Sequence, residues 1–259
     1  MDVNIPAFMS MGIKGGTGKS VNAVNIAKLL SQYYKVGLVD LDIDSPNLPM
    51  MLGIKEDMKV NKNHHFIPIH VTNNLKVFSM GAFNQRGEQG MSRSGEMNRL
   101  TIKQALQETE WVDIDIFVLD QPAGSSDEFR ASIEVFPSLI GAVIVTLPTT
   151  TEDLLRCFDL TSRFMIPILG VIENMYGAIT ECGVEPICPK CQKVFKPLGD
   201  SVNKKLCEER GIEYLGSIPV LSEYSTQLKK GNPLIPEQYN EPILKAIELI
   251  RKELSVNGN

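Results

Sequence analysis

Seven residues near the amino terminus, Lys14-Gly15-Gly16-Thr17-Gly18-Lys19-Ser20, constrain the fold of this chain more than any other stretch. They follow an apolar run of strand length, residues 7–13. They precede a helical pattern in which Val21, Val24, Ile26, Ala27, Leu29 and Leu30 recur through about Gln32. Strand, glycine loop and helix in that order aim a helix amino terminus at bound phosphate. The small residues allow backbone N–H groups to close around phosphate oxygens, Lys19 is spaced to reach the β- and γ-phosphates, and the Ser20 hydroxyl is spaced for Mg²⁺. The strict form of this loop begins with glycine where Ile13 stands, so the match is to a variant. Lys14 is additional to the ordinary loop, and its charge points toward a nucleotide held by a second subunit.

Past the loop, apolar runs alternate with helical patterns to the end of the 259 residues. Strands are predicted over 7–13, 36–40, 75–80, 114–119, 140–146, 168–173 and 214–218. Helices are predicted over 19–32, 98–109, 151–164, 200–210 and 240–254. The alternation predicts an α/β fold, a mostly parallel twisted sheet with helices on both faces. Near-continuous apolar runs such as Ile114–Leu119 suit strands buried on both sides. One domain over 1–259 is expected, with a cysteine-bearing insert at 175–198. Two further stretches, 53–74 and 84–97, read as polar surface loops. The first holds His64, His65 and His70, for which a solvated loop is favoured over a metal site.

A net charge of −5 without a basic block makes nucleic acid an unexpected partner. No apolar run reaches the ~18 residues of a membrane span, and the amino terminus lacks the design of a secretory leader. A cytosolic protein without a membrane partner is expected.

Two predicted strands end in acid. The first runs into Asp40-Leu41-Asp42-Ile43-Asp44, the second into Asp120-Gln121-Pro122-Ala123-Gly124. Ligands of parallel sheets bind at the carboxyl ends of strands, so both clusters are expected beside the loop. Asp120, after four apolar residues, is placed to hold Mg²⁺ next to Ser20. Asp42 is placed to position or activate the attacking water. Gly124 lets the backbone approach a γ-phosphate and swing away afterwards, as switch loops do. Asn174, after the strand at 168–173, offers a side-chain amide to a purine edge.

The five cysteines are Cys157, Cys182, Cys188, Cys191 and Cys207. Cys188-Pro189-Lys190-Cys191 sets two thiolates on one tight turn, the spacing of half a tetrahedral zinc or iron–sulfur site. Cys182 is a candidate third ligand. A symmetric dimer would supply two thiolates from each copy. Cys157 and Cys207 fall within helical patterns and read as buried thiols.

Taken together, these motifs resemble the Mrp/ApbC branch of the MinD/ParA-type P-loop ATPases, the iron–sulfur carrier group, over nearly the whole chain. Lys14–Ser20 resembles its deviant Walker A loop with the signature lysine, Asp40–Gly53 its switch I, and Asp120–Gly124 its switch II. Ile168–Met175 followed by Cys188–Cys191 is the most branch-specific likeness. In switch I, Asp44-Ser45 replaces the usual bulky-residue–Gly pair. Ala123 replaces the second Pro of switch II, Ser125-Ser126-Asp127 stands where Thr-Gly-Asp is usual, and Gln192 replaces the Gly after the second cysteine. The resemblance implies ATP sandwiched in a homodimer, lined by Gly15, Gly16, Thr17, Gly18, Lys19, Ser20, Val21 and Gly124, with Asn174 at adenine. It implies Lys14 reaching the partner's phosphates, Lys19 and Asp42 in catalysis, Mg²⁺ at Ser20 and Asp120, and Cys188 and Cys191 of both copies holding a 4Fe-4S cluster for apo-protein clients. Zn²⁺ is the alternative metal at the pair. A MinD- or ParA-like positioning ATPase and a metal-insertion ATPase handling zinc or nickel are the alternative functions.

Overall fold

A computed structural model describes residues 4–42, 46–79, 95–124, 127–222, 224–232 and 234–257. Its centre is an eight-stranded sheet. The strands are β1 (Ala7–Met11), β2 (Val36–Asp40), β5 (Ile69–Thr72), β6 (Leu75–Ser79), β7 (Ile116–Asp120), β8 (Leu139–Thr146), β9 (Ile168–Ile179) and β10 (Tyr214–Leu221). Their order is β10-β9-β8-β1-β7-β2-β6-β5, and every pairing is parallel except β5 with β6 at the edge. A separate antiparallel pair joins β3 (Lys59–Val60) to β4 (Phe66–Ile67).

Residues of β1, β2 and β7 are buried on both sides of the sheet, which is why they read as unbroken apolar runs. One face packs Phe8, Leu38, Val118 and Ile172 against α1 (Lys19–Leu30) and α8 (Glu241–Asn257). The other packs Met9, Val39, Phe117 and Val171 with α3 (Gly95–Gln107), α4 (Asp127–Val135), α5 (Thr151–Arg163) and α6 (Asn203–Arg210). Two short helices, α2 (Leu48–Met51) and α7 (Tyr224–Lys229), complete the set. The expected α/β sandwich is therefore present.

Several boundaries differ from expectation for physical reasons. β1 stops at Met11, because Gly12 and Ile13 already turn into the loop. The stretch 53–74 is not a plain loop, since it contains β3, β4 and the edge strand β5. His64 and His65 lie exposed on the β3–β4 turn and His70 lies exposed in β5. β9 runs six residues past the predicted end at 173, so Asn174 and the first five residues of the expected insert are strand. Residues 84–94, Asp44, Ser45, Ser125 and Ser126 lie outside the described residues.

Because the strands are parallel, the carboxyl ends of β1, β2, β7, β8 and β9 share one edge. Asp120 is in register with both Ser10 and Asp40, and Thr146 with Glu173. The crossover after β1 runs to β2 on one side and the crossover after β7 runs to β8 on the other, and a crevice opens at such a switch point. A shallow cleft of about 530 Å³, lined by residues including Phe158, Ile168, Arg210 and Glu213, lies at the opposite strand ends and holds none of the expected site residues.

Candidate functional site

The glycine loop follows β1 and enters α1 at that shared edge. Gly16 and Gly18 have φ of 77° and 93°, a left-handed backbone that glycine adopts without a Cβ penalty. No side-chain hydrogen bond caps α1 and no acid sits in its first turn, so its leading N–H groups and dipole are left for an anion. Ser10 Oγ donates to the Lys19 carbonyl at 3.0 Å, fixing the loop's exit to the strand beneath. Lys19 Nζ folds back onto the Lys14 carbonyl at 3.1 Å. Burial lowers the Lys19 pKa, against the pull of Asp120 and Asp42, so the ammonium gains from an arriving anion. Lys14, Gly15 and Gly16 are exposed, and Thr17 and Lys19 are buried. The Lys14 side chain thus stands at the rim of the loop that Lys19 lines.

Below the loop lie the carboxylates. Asp120 is 2% exposed, its Oδ1 has no hydrogen-bond partner, and the Ser20 hydroxyl bonds to its carboxylate. Burial, and then the charge of Asp40, push the Asp120 pKa well up. A buried oxygen without a partner is rare in a native fold. Beside a hydroxyl and below a phosphate loop it matches what a hard divalent cation requires, so Ser20 and Asp120 fit Mg²⁺.

Asp40 was not singled out from the sequence, and it organises the neighbouring loop. Its carboxylate accepts the Ser79 hydroxyl at 2.9 Å and the N–H groups of Asp42 and Leu48 at 3.2 and 3.3 Å. It thereby grips both ends of the segment that carries Asp42. Burial raises its pKa to about 7. The signal for this role was the first acid of Asp40-Leu41-Asp42, but Ser79 lies too far away in sequence to be paired by inspection. Across the edge, Gly124, four residues after Asp120, has φ of 90°, a left-handed backbone that glycine adopts freely. Gln121 donates to Ser132, tying this turn to α4.

Asn174 lies within β9, and its Nδ2 donates to the Thr17 carbonyl at 2.9 Å. The approach is close enough that a Cβ on Gly18 would meet Nδ2 at 2.1 Å. Gly18 is therefore required both by its φ and by Asn174. Cys157, in α5, accepts the Ile13 N–H, and burial raises its thiol to about 11. It is an inert prop beneath the loop, a contact that its place in a helical pattern did not reveal.

The cysteine pair sits elsewhere in character. Residues 180–200 hold no helix, and the pair is framed by an isolated bridge, Ile187 with Val194. The N–H groups of Cys191 and Lys190 and the Cys191 thiol all point at Cys188 sulfur and hold its pKa below the usual thiol value. Cys188 N–H donates to the Lys193 carbonyl and Gln192 N–H to the Cys188 carbonyl, both at 2.9 Å. Gln192 has φ of 57°, which explains the glycine common at that position; its side chain donates to the Pro189 carbonyl at 3.1 Å. Cys191 is exposed and Cys188 half-buried. Cys182 is exposed beside Thr180, 3.3 Å from its hydroxyl. Among the described residues, no three His, Cys, Asp or Glu side chains gather as a metal site, so Cys182 does not complete the pair within one chain. Cys207 is buried, as expected. No described helix is long and apolar enough to cross a membrane.

The chain is 30% identical over 252 residues to an iron-sulfur cluster carrier protein of Methanococcus maripaludis, covering 94% of this chain and 84% of that one. Among solved structures it resembles a nucleotide-binding protein of Archaeoglobus fulgidus in complex with ADP, with a TM-score of 0.69 at 23% identity over 88% of this chain and 86% of the other. It also resembles the septum site-determining protein MinD of Pyrococcus horikoshii with Mg-ADP, with a TM-score of 0.62 at 17% identity over 99% and 98%. Residues 6–255 match the ParA family described as NUBPL iron-transfer P-loop NTPase. The chain belongs to this family of ParA-type iron-transfer P-loop NTPases.

Proposed function

We propose that this chain is a single-domain, ATP-hydrolysing carrier that works as a homodimer, holds a 4Fe-4S cluster between its two copies and passes it to apo-proteins. The observation that carries the reading is the Cys188–Cys191 turn: two accessible thiols with N–H groups aimed at one sulfur, and no third ligand among the described residues of the same chain. Two thiols are half of a four-thiolate site, and a two-fold axis supplies the rest. The family match and the name of the Methanococcus relative support iron transfer over zinc or nickel insertion.

The nucleotide half uses the glycine loop and the carboxylates at the carboxyl ends of β1, β2 and β7. ATP phosphates lie on the Gly15–Ser20 backbone, and Lys19 leaves the Lys14 carbonyl to meet them. Ser20 and Asp120 hold Mg²⁺, which when bound offsets charge on the phosphate oxygens. Asp42, located through its N–H on Asp40, orients the attacking water. Lys14, exposed at the rim, serves the partner's phosphates. Val21 and Gly124 flank the phosphates, and Asn174 contacts the adenine while holding the loop.

The test is anaerobic reconstitution with iron and sulfide, followed by visible absorption and iron, sulfide and zinc analysis. The reading predicts a coloured protein with about two irons per chain, half of a shared four-iron cluster. A colourless protein retaining stoichiometric zinc would contradict it.

A further inference from the structure

Glu173 is a buried acid that neither half of the proposed function uses. It is 1% exposed and fully engaged: Ser201 Oγ and Asn203 Nδ2 donate to its Oε1, the latter at 2.6 Å, and Tyr214 OH donates to its Oε2 at 2.9 Å. Asn203 in turn donates to the Leu147 carbonyl and accepts the Thr151 hydroxyl. Ser201 and Asn203 are where the chain returns from the cysteine-bearing segment, and Glu173 is where it departs. One carboxylate therefore gathers both ends of that segment into a neck.

The next residue is Asn174, which holds the phosphate loop. Consecutive strand side chains point to opposite faces. Along β9, Val171 packs with the α5 and α6 face and Ile172 with the α1 and α8 face. Glu173 and Asn174 continue the alternation: Glu173 meets the start of α6, Asn174 meets the loop before α1. Past this pair β9 has no β8 partner, because that ladder ends at Thr146 with Glu173, and it runs on beside β10 toward the cysteines. The Lys196 ammonium, 2.8 Å from Tyr176 OH and 2.7 Å from Asp200, ties the outgoing and returning chain once more.

We propose that the Glu173–Asn174 dipeptide couples the two sites, Asn174 sensing the phosphate loop through Thr17 and Glu173 transmitting its position to the neck of the cysteine segment. Nucleotide in the loop then sets how firmly residues 175–203 are held, and Glu173 is a positioning residue for Cys188 and Cys191. The physical basis is a continuous path: a hydrogen bond from Asn174 to Thr17, the peptide bond to Glu173, and hydrogen bonds from Ser201 and Asn203 to Glu173. This inference rests on the nucleotide half of the proposed function and not on the identity of the cargo.

The experiment is amide hydrogen exchange on the metal-free full chain, with and without saturating Mg·ADP, followed in peptides from 175–203. The wild type is expected to change exchange in that segment by about fivefold or more, the lower end of ordinary site-to-site coupling. Glu173→Gln removes the acceptor for Tyr214 while keeping shape, and Tyr214→Phe removes the donor; both should still bind Mg·ADP and yet bring the ratio toward one. A purely structural role would raise exchange equally in both states and leave the ratio at its wild-type value, which overturns the proposal. A wild-type segment indifferent to bound Mg·ADP overturns it as well. A protein that responds to ADP but never accepts iron would leave this coupling standing and remove only the carrier reading.

Discussion

The phosphate edge and the cysteine segment differ in how much of their chemistry one chain completes. At the phosphate edge, side chains from β1, β2, β7 and β9 converge in the buried interior, and three buried polar atoms there, on Asn22, Asp120 and Gln121, lack partners in the protein. Apart from Lys14, which is exposed at the rim, that is a site built within one chain for a ligand. The cysteine segment is exposed, held by few backbone bonds, and offers two thiols. On the proposed reading, that is half of a site that a second copy completes. The contrast teaches that burial marks the chemistry one chain completes, while exposure marks the part that the proposed function assigns to two.

Variants can break this contrast, and the largest effect is expected at the cysteines. Cys188→Ser with Cys191→Ser should abolish metal binding outright, read by iron and zinc analysis, while Mg·ADP affinity by calorimetry stays at its wild-type value. Loss of both together would show that the two regions are not separately built. Next, Lys19→Ala should weaken nucleotide binding about 10- to 100-fold, the weight of a charge-assisted hydrogen bond, without changing metal content. Gly18→Ala forces a left-handed φ on alanine and a clash with Asn174, and should cost about 2–4 kcal/mol in denaturant unfolding. Adding Asn174→Ala should recover part of that loss, since the clash is then gone.

A smaller effect is set by pH. Asp40 is buried with its pKa raised to about 7, so between its unfolded value near 4 and 7 the folded chain holds a proton that the unfolded chain has released. Metal-free stability should fall as pH rises through that window, by an amount on the order of a few kcal/mol. Urea unfolding at pH 5 and pH 8 checks the sign. Equal or greater stability at pH 8 would mean that burial does not raise the Asp40 pKa as described.

Much of the fold was legible because buried parallel strands announce themselves as apolar runs, and β2 matches its prediction residue for residue. What escaped was built from weaker or longer-range signals. The edge strand β5 has Ile69 and Val71 alternating with His70 and Thr72, a period of two submerged in polar composition. Helix α4 buries Phe129, Ser132 and Val135, one of them polar, and no helix was predicted over 127–135. The loop residues were readable from spacing alone, since phosphate chemistry fixes them relative to one another. The roles of Asp40 and Glu173 were not, because their partners Ser79, Ser201, Asn203 and Tyr214 lie 28 to 41 positions away along the chain.

The central claim, that the cysteine pair is half of a site completed by a second copy, is tested most directly by native mass spectrometry of the anaerobically reconstituted protein. The account predicts one four-iron cluster per two chains, with Cys191→Ser leaving cluster-free chains. A metal-loaded monomer, with one cluster or one zinc held by a single chain, would contradict it.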